Sequence, residues 1–267
     1  MLGGMSESSA PDLLVKDQGA VRLIRLQRPG AKNAITVETV DSLIAAFHAA
    51  GAERSVRVVV LSGVPGAFCS GADLRWLAKS IEGGGEVEPV LARFQALTLA
   101  IVELSKPVVA AVTGPAVGFG ADMALACDFR VFAESAYLQE KFVAVGLMPD
   151  GGGTYFLTRL LGVARATEML MLGTRIDAAQ AVSLGLASSM TVDADTEPAA
   201  LALATTLSHG PPLSLARIKH AVHGSAEDLK AALAREAEGQ LALLASADGK
   251  EGVRAFLERR SPNFRGE

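Results

Sequence analysis

An α/β fold follows from three features of the sequence. Short apolar runs at 57–61 and 108–112, rich in valine, read as strands buried on both faces. Longer stretches, led by the one that begins at Val37, repeat apolar residues at helical spacing. Strand, strand and helix then recur in that order through the first two-thirds of the chain.

The elements follow in order. Residues 1–12 are polar and small and predict a disordered tail. Residues 13–15 and 21–26 predict two strands around a turn at Gln18-Gly19. Thr36 reads as a helix N-cap, followed by the stripe Val37, Val40, Leu43, Ile44 and Phe47. The valine strand at 57–61 leads into the loop SGVPGAFCSG and a helix over 72–79. Residues 82–88 carry Gly83, Gly84 and Gly85 and predict a mobile, lid-like loop ahead of a helix over 90–104. Strands are expected at 108–112, 129–133 and 137–138, and a helix at 155–161 after the turn Pro149-Asp150-Gly151-Gly152-Gly153. From Ala164 onward the pattern is helical apart from a strand at 187–192. The expected organisation is a core over 13–200 and a helical region over 201–267.

The chain has 267 residues, half of them hydrophobic, which is enough to bury a full core. A formal net charge of −4 argues against nucleic acid as the main partner. No apolar run reaches the length of a membrane span, and the N-terminal stretch lacks the pattern of a signal peptide. Two cysteines, Cys69 and Cys127, have no metal-ligand spacing and fit a reducing, cytoplasmic setting.

Generic catalytic motifs are absent. Gly118-Phe119-Gly120 lacks the third glycine of a dinucleotide fingerprint, and there is neither a P-loop nor a GxSxG elbow. His220 and His223 lack a third ligand and read as a solvated helix face. Cys69, with no histidine close in sequence, reads as a small packed residue. Two glycine turns remain, 68–74 and 114–120, each following a buried strand and preceding a helix. Facing one another, they could offer two free backbone N–H groups to one oxygen, with Asp122 in the first helical turn beside the second.

Five ordered segments resemble the crotonase superfamily, the enoyl-CoA hydratase/isomerase fold: RPGAKNAI, AFCSGADL, KPVVAAVTGPAVGFGADMALACD, GLMPDGGGTYFLTRLLG and EGVRAFLERRSPNF. The resemblance implies a spiral of ββα turns with a C-terminal helical region that trimerises, as a homotrimer or a dimer of trimers. It implies an acyl-CoA thioester substrate and no cofactor, CoA being part of the substrate. By the same resemblance the two oxyanion-hole amides are those of Ala72 and Phe119. The CoA-binding positions are Lys32, Ala34, Ser70, Asp73 and Leu74, with Phe256 and Arg259 from a neighbouring subunit.

The acid/base positions depart from the hydratase pattern. Two glutamates are usual there; their places fall on Asp122 and Phe142, and phenylalanine transfers no proton. Glu140 reaches the second place only with a shifted alignment. In isomerase branches an aspartate at the place of Asp150 shuttles the proton, which makes Asp150 the preferred base and Asp122 a second acid/base or a water-positioning group. Asp150 also fits a helix N-cap, and Asp122 a first-turn carboxylate facing the helix dipole. The expected activity is an enoyl-CoA isomerase or hydratase; the alternatives are a non-catalytic acyl-CoA binder and a thioester hydrolase.

Overall fold

The computed structural model describes residues 7–10, 12–82, 86–223 and 226–267, with backbone alone at 7–10, 80–82 and 226. The loop expected around Gly83, Gly84 and Gly85 lies outside the described residues. The main sheet has seven strands: β1 (Glu7–Ala10), β2 (Leu13–Gln18), β3 (Val21–Leu26), β4 (Val58–Ser62), β5 (Val108–Val112), β7 (Phe129–Ala133) and β10 (Ser189–Thr191), in that spatial order. The first three run antiparallel to one another and the rest are parallel. A smaller sheet holds β6 (Ala116–Val117), β8 (Tyr137–Gln139) and β9 (Ile176–Asp177).

Both faces of the main sheet are covered, which explains the unbroken valine runs. Val59, Leu61, Val108, Ala110 and Val112 point into the larger core. Val58, Val60, Val109 and Ala111 point the other way, onto Ala200 and Ala204 of α7 (Thr196–Ser208). Alternating residues thus feed two apolar layers, as a parallel sheet requires. The expected boundary at 200/201 falls inside α7, which packs on β4, β5 and β7.

On the larger core lie α1 (Val37–Ala52), α3 (Val87–Val102) and α4 (Phe119–Ala126). Thr36 caps α1 as expected, its hydroxyl accepting the Thr39 N–H at 3.4 Å. Val40, Leu43 and Phe47 are buried to the last atom. The helix expected over 72–79 is α2 (Leu74–Glu82). That expected over 155–161 opens α5 (Gly153–Leu172), whose regular path breaks at Gly162, where φ is +75°. A short α6 (Ala178–Ser183), then α8 (Pro212–His223), α9 (Ala226–Ala245) and α10 (Ala247–Glu258) complete the chain. No described helix is long and apolar enough to cross a membrane.

Two expectations are corrected. Within the N-terminal tail, residues 7–10 form β1 and pair antiparallel with β2, satisfying the outer donors and acceptors of that strand. His223 is not part of a solvated face: its Nε2 lies 2.8 Å from Asp128 Oδ1. Lys219, buried one helical turn earlier, reaches Asp128 Oδ2 at 2.9 Å. These partners hold the Asp128 carboxyl below its usual range despite burial. His220 remains exposed.

Candidate active site

The two glycine turns meet. Residues 69–73 run as an extended strip between two neighbours. On one side Cys69 N–H donates to Pro115 O at 3.1 Å and Val117 N–H to Cys69 O at 2.9 Å. On the other, Ile35 N–H donates to Gly71 O at 2.9 Å and Asp73 N–H to Ile35 O at 2.8 Å. Cys69 is paired in parallel with Ala116, and Ala72 and Phe119 each stand three residues beyond that pair. Gly71, with φ +94°, brings the strips together: a Cβ there would lie 2.9 Å from Val117 O and 3.6 Å from Phe119 N. Among the described residues neither the Ala72 nor the Phe119 N–H donates to a protein acceptor. The Phe119 ring turns into the core and packs edge-on against Phe94, centroids 4.8 Å apart, so its main chain alone faces the turn.

Beside Ala72 opens a narrow cavity of about 40 Å³. Its walls include Trp76 of α2, Val90, Leu91 and Phe94 of α3, and the polar pair Asp150 and Gln240. Asp150 contributes an oxygen to the site, Oδ1, that is shut off from solvent and has no hydrogen-bond partner. Its Oδ2 accepts from Gln240 Nε2 at 2.9 Å. Burial pushes the Asp150 carboxyl up to about 7, against the pull of that hydrogen bond.

Asp122 sits behind the cavity wall, fully buried. Its Oδ2 accepts the Gly151 N–H at 3.1 Å. Its Oδ1 and both oxygens of buried Glu140 have no hydrogen-bond donor. A Cβ on Gly153 would meet Asp122 Oδ1 and Glu140 Oε1 together, so the two carboxyls crowd one point. Burial, then mutual repulsion among Asp122, Glu140, Glu236 and Asp150, holds Asp122 well above the usual carboxylate range. Burial and Glu236 do the same to Glu140. A proton held between Asp122 and Glu140 satisfies oxygens that would otherwise be buried and unpaired. Phe142 borders the second turn, its ring 3.7 Å from where a Cβ on Gly118 would lie.

This pair has a consequence for stability. A carboxyl whose pKa is raised on folding favours the folded state below its unfolded pKa and loses that contribution as pH rises toward the folded value. The slope is about 1.4 kcal/mol per pH unit for one proton. Melting temperature is therefore expected to fall as pH rises above the ordinary carboxylate range. Glu140→Gln should flatten that fall and melt higher at alkaline pH. Calorimetry across the range checks it; parallel curves for the two proteins would show that Glu140 carries no raised pKa.

Asp150 does not cap a helix. The N-cap of α5 is Gly152, without a side-chain bond of its own. Its free donors go instead to Glu236 of α9, which accepts from Gly152 N at 2.7 Å, from Thr154 N at 2.9 Å and from Thr154 Oγ1 at 2.5 Å. Asp122 does lie in the first turn of α4, but its oxygens serve Gly151 and face Glu140.

The expected CoA-binding positions divide. Lys32, Ala34, Ser70, Asp73 and Leu74 come together where the loop 28–35 lies on the first turn. Ser70 N donates to Lys32 O at 3.1 Å, and Arg28 bonds Ala34 O and reaches Asp73 Oδ2 at 3.3 Å. Asn33, buried with φ +55°, ties this loop to Ala67 O at 2.8 Å. Phe256 on α10 and Arg259, the residue that caps its C-terminus, lie exposed; α10 packs on α2 and the 3-10 turn Phe142–Val145 of its own chain. Cys69 is buried and its thiol is pushed up to about 12, as suits a packed residue.

Sequence reasoning passed over Glu236 and Gln240. Their signal was present: both are polar residues on the buried stripe of α9 that includes Leu229 and Leu233, four residues apart.

Residues 16–267 match the enoyl-CoA hydratase/isomerase family. A Rhodobacter capsulatus protein named "Probable enoyl-CoA hydratase" is 42% identical over 91% of this chain and 94% of its own. The 2,3-dehydroadipyl-CoA hydratase of Escherichia coli is 36% identical over 96% and 99%. A solved enoyl-CoA hydratase from Mycobacterium avium subsp. paratuberculosis superposes with a TM-score of 0.87 at 33% identity, over 96% of this chain and 100% of that one. The chain belongs to the enoyl-CoA hydratase/isomerase family, within the crotonase superfamily, and is an enzyme of acyl-CoA chemistry.

Proposed function

We propose that the protein is an enoyl-CoA isomerase, which moves the double bond of a 3-enoyl thioester into conjugation with the carbonyl. One observation carries this reading: of the two carboxylates on the cavity wall, Asp73 is bonded to Arg28 and to the first turn of α2, whereas Asp150 keeps a buried oxygen with no hydrogen-bond partner; Asp122 and Glu140 lie behind the wall and Phe142 stands where a hydratase glutamate is expected. The thioester oxygen sits between the Ala72 and Phe119 N–H groups. Asp150 Oδ1 takes a proton from the α-carbon, and the electron pair spreads onto the thioester oxygen as a dienolate. Those two donors hold the negative charge better than the neutral carbonyl, which lowers the barrier. The same carboxyl then returns its proton to the γ-carbon, the double bond shifts by one position, and the enzyme is unchanged. A group titrating near 7 suits both steps. The reaction is an internal proton transfer and calls for no cofactor beyond the CoA of the substrate.

Hydration is the second reading, favoured by the names of the relatives. It places Asp122 as the group that orients water. Ultraviolet assays separate the two: an isomerase gains the conjugated thioester band from a 3-enoyl-CoA, whereas a hydratase loses it from a 2-enoyl-CoA in water. Loss of the band with no action on the 3-enoyl substrate would overturn the isomerase reading. The same family reading carries assembly as a trimer or a dimer of trimers. Exposed Leu160 and Val163 of α5 and Ile218 and Val222 of α8 supply apolar surface of the kind copies bury between them.

A further inference from the structure

We propose that Gln240 is a positioning residue that aims the Asp150 carboxylate, and that α9 thereby governs the proton-transferring group. This rests on the reading of Asp150 as that group. Gln240 is buried and uses both ends of its amide. Its Oε1 accepts the Met148 N–H at 3.1 Å, which fixes the amide's orientation and turns its NH₂ toward Asp150. That NH₂ donates to Asp150 Oδ2 at 2.9 Å. Oδ2 is thereby occupied, and Oδ1 is the oxygen left to meet a substrate carbon. Gln240 also lines the cavity beside Asp150, so the bond lies at the site itself.

Glu236, one helical turn earlier, completes the grip. It holds Gly152 and Thr154, the residues just beyond Asp150, while Gln240 holds Met148 just before it. The segment that carries Asp150 is thus pinned on both sides from one helix face. The charged groups that face Asp150 are all acidic: Glu236 from α9, Asp122 from α4 and Glu140 from the segment after β8. Glu236 disfavours the ionised form of Asp150, while Asp150 in turn raises Asp122 and Glu140. The Gln240 N–H opposes Glu236 by bonding to that form. Its removal both frees the carboxyl to rotate and makes it a weaker acid.

Gln240→Met tests this, because it keeps the side-chain volume and removes both hydrogen bonds. Two measurements are made on the full chain: the pH profile of kcat for double-bond migration, and the titration of the Asp150 carboxyl carbon in aspartate-labelled protein, assigned by its loss in Asp150→Asn. Both midpoints should move up by about one pH unit. At neutral pH kcat should fall about tenfold with KM within about twofold. Unmoved midpoints in a folded variant would overturn the proposal, whatever the change in stability. A moved titration beside an unmoved rate profile would uphold the positioning and overturn Asp150 as the proton-transferring group. Should Gln240→Met not fold, Gln240→Glu keeps the acceptor for Met148 and adds a negative charge; its midpoint should rise further, and an unchanged midpoint there also overturns the proposal.

Discussion

Asp150→Asn is expected to lower kcat for double-bond migration by about 10²–10⁴-fold, the range a positioned acid/base supplies. The size follows from geometry. Asp150 lines the cavity with an oxygen, Oδ1, that has no protein partner, whereas the cavity's other carboxylate, Asp73, is bonded to Arg28 and the first turn of α2. Asparagine keeps the shape and can still engage Gln240, but it cannot carry a proton between two carbons. KM should change little, because the proposed mechanism gives the thioester oxygen and the CoA to other residues. The variant should also lose the ascending limb near pH 7 from its rate profile, since burial places that titration on Asp150. A residual rate within about threefold of the parent would move the reaction to Asp122 or Glu140 and with it the choice of mechanism. Asp122→Asn is the informative companion. Asp122 is bonded to the Gly151 N–H and lies behind the wall, so its loss should act through the 149–153 turn and cost less.

Much of this site was legible in the chain. The buried strands at 57–61 and 108–112 and the two glycine turns are local signals, and the family resemblance picked Ala72 and Phe119 out of those turns. Asp122 stood out by its place in the first helical turn after the second glycine turn, and the family resemblance pointed to Asp150. Glu140 stayed secondary because it reaches the hydratase position only with a shifted alignment. Nothing in the order Gln139-Glu140-Lys141 says that its carboxyl folds inward beside Asp122. Glu236 and Gln240 lie more than eighty residues from the groups they hold, and only the packing of α9 on α3 and α5 brings them there. The capping of α5 shows the same limit. A turn ending in Asp150-Gly151-Gly152 invites a local N-cap, yet the donors are satisfied by a glutamate from a distant helix. Tertiary packing supplied that acceptor and left the local aspartate to bond Gln240 instead.

Gly71→Ala should be nearly as damaging as loss of the carboxyl, with kcat down by about 10²–10³-fold, the cost of one misplaced oxyanion donor. Two effects act at once. At φ +94° any Cβ is strained. Here the Cβ also lands 2.9 Å from the carbonyl oxygen of Val117, which is backbone and cannot swing aside. Relief requires the strip 69–73 to move away from 115–119, and these strips carry the Ala72 and Phe119 N–H groups. Gly66→Ala separates strain from displacement. Gly66 also has positive φ, +84°, but its Cβ would meet nothing within 4 Å. That variant should lose about 1–2 kcal/mol of stability and keep its kcat. Asp150 should titrate as before in both. If Gly71→Ala is folded and turns over at the parent rate, the two amides do not share the thioester oxygen, and the enolate must be held by other groups. If both glycine variants lose kcat in proportion to stability, strain alone explains the loss, and the spacing of the amides is not what the glycine protects.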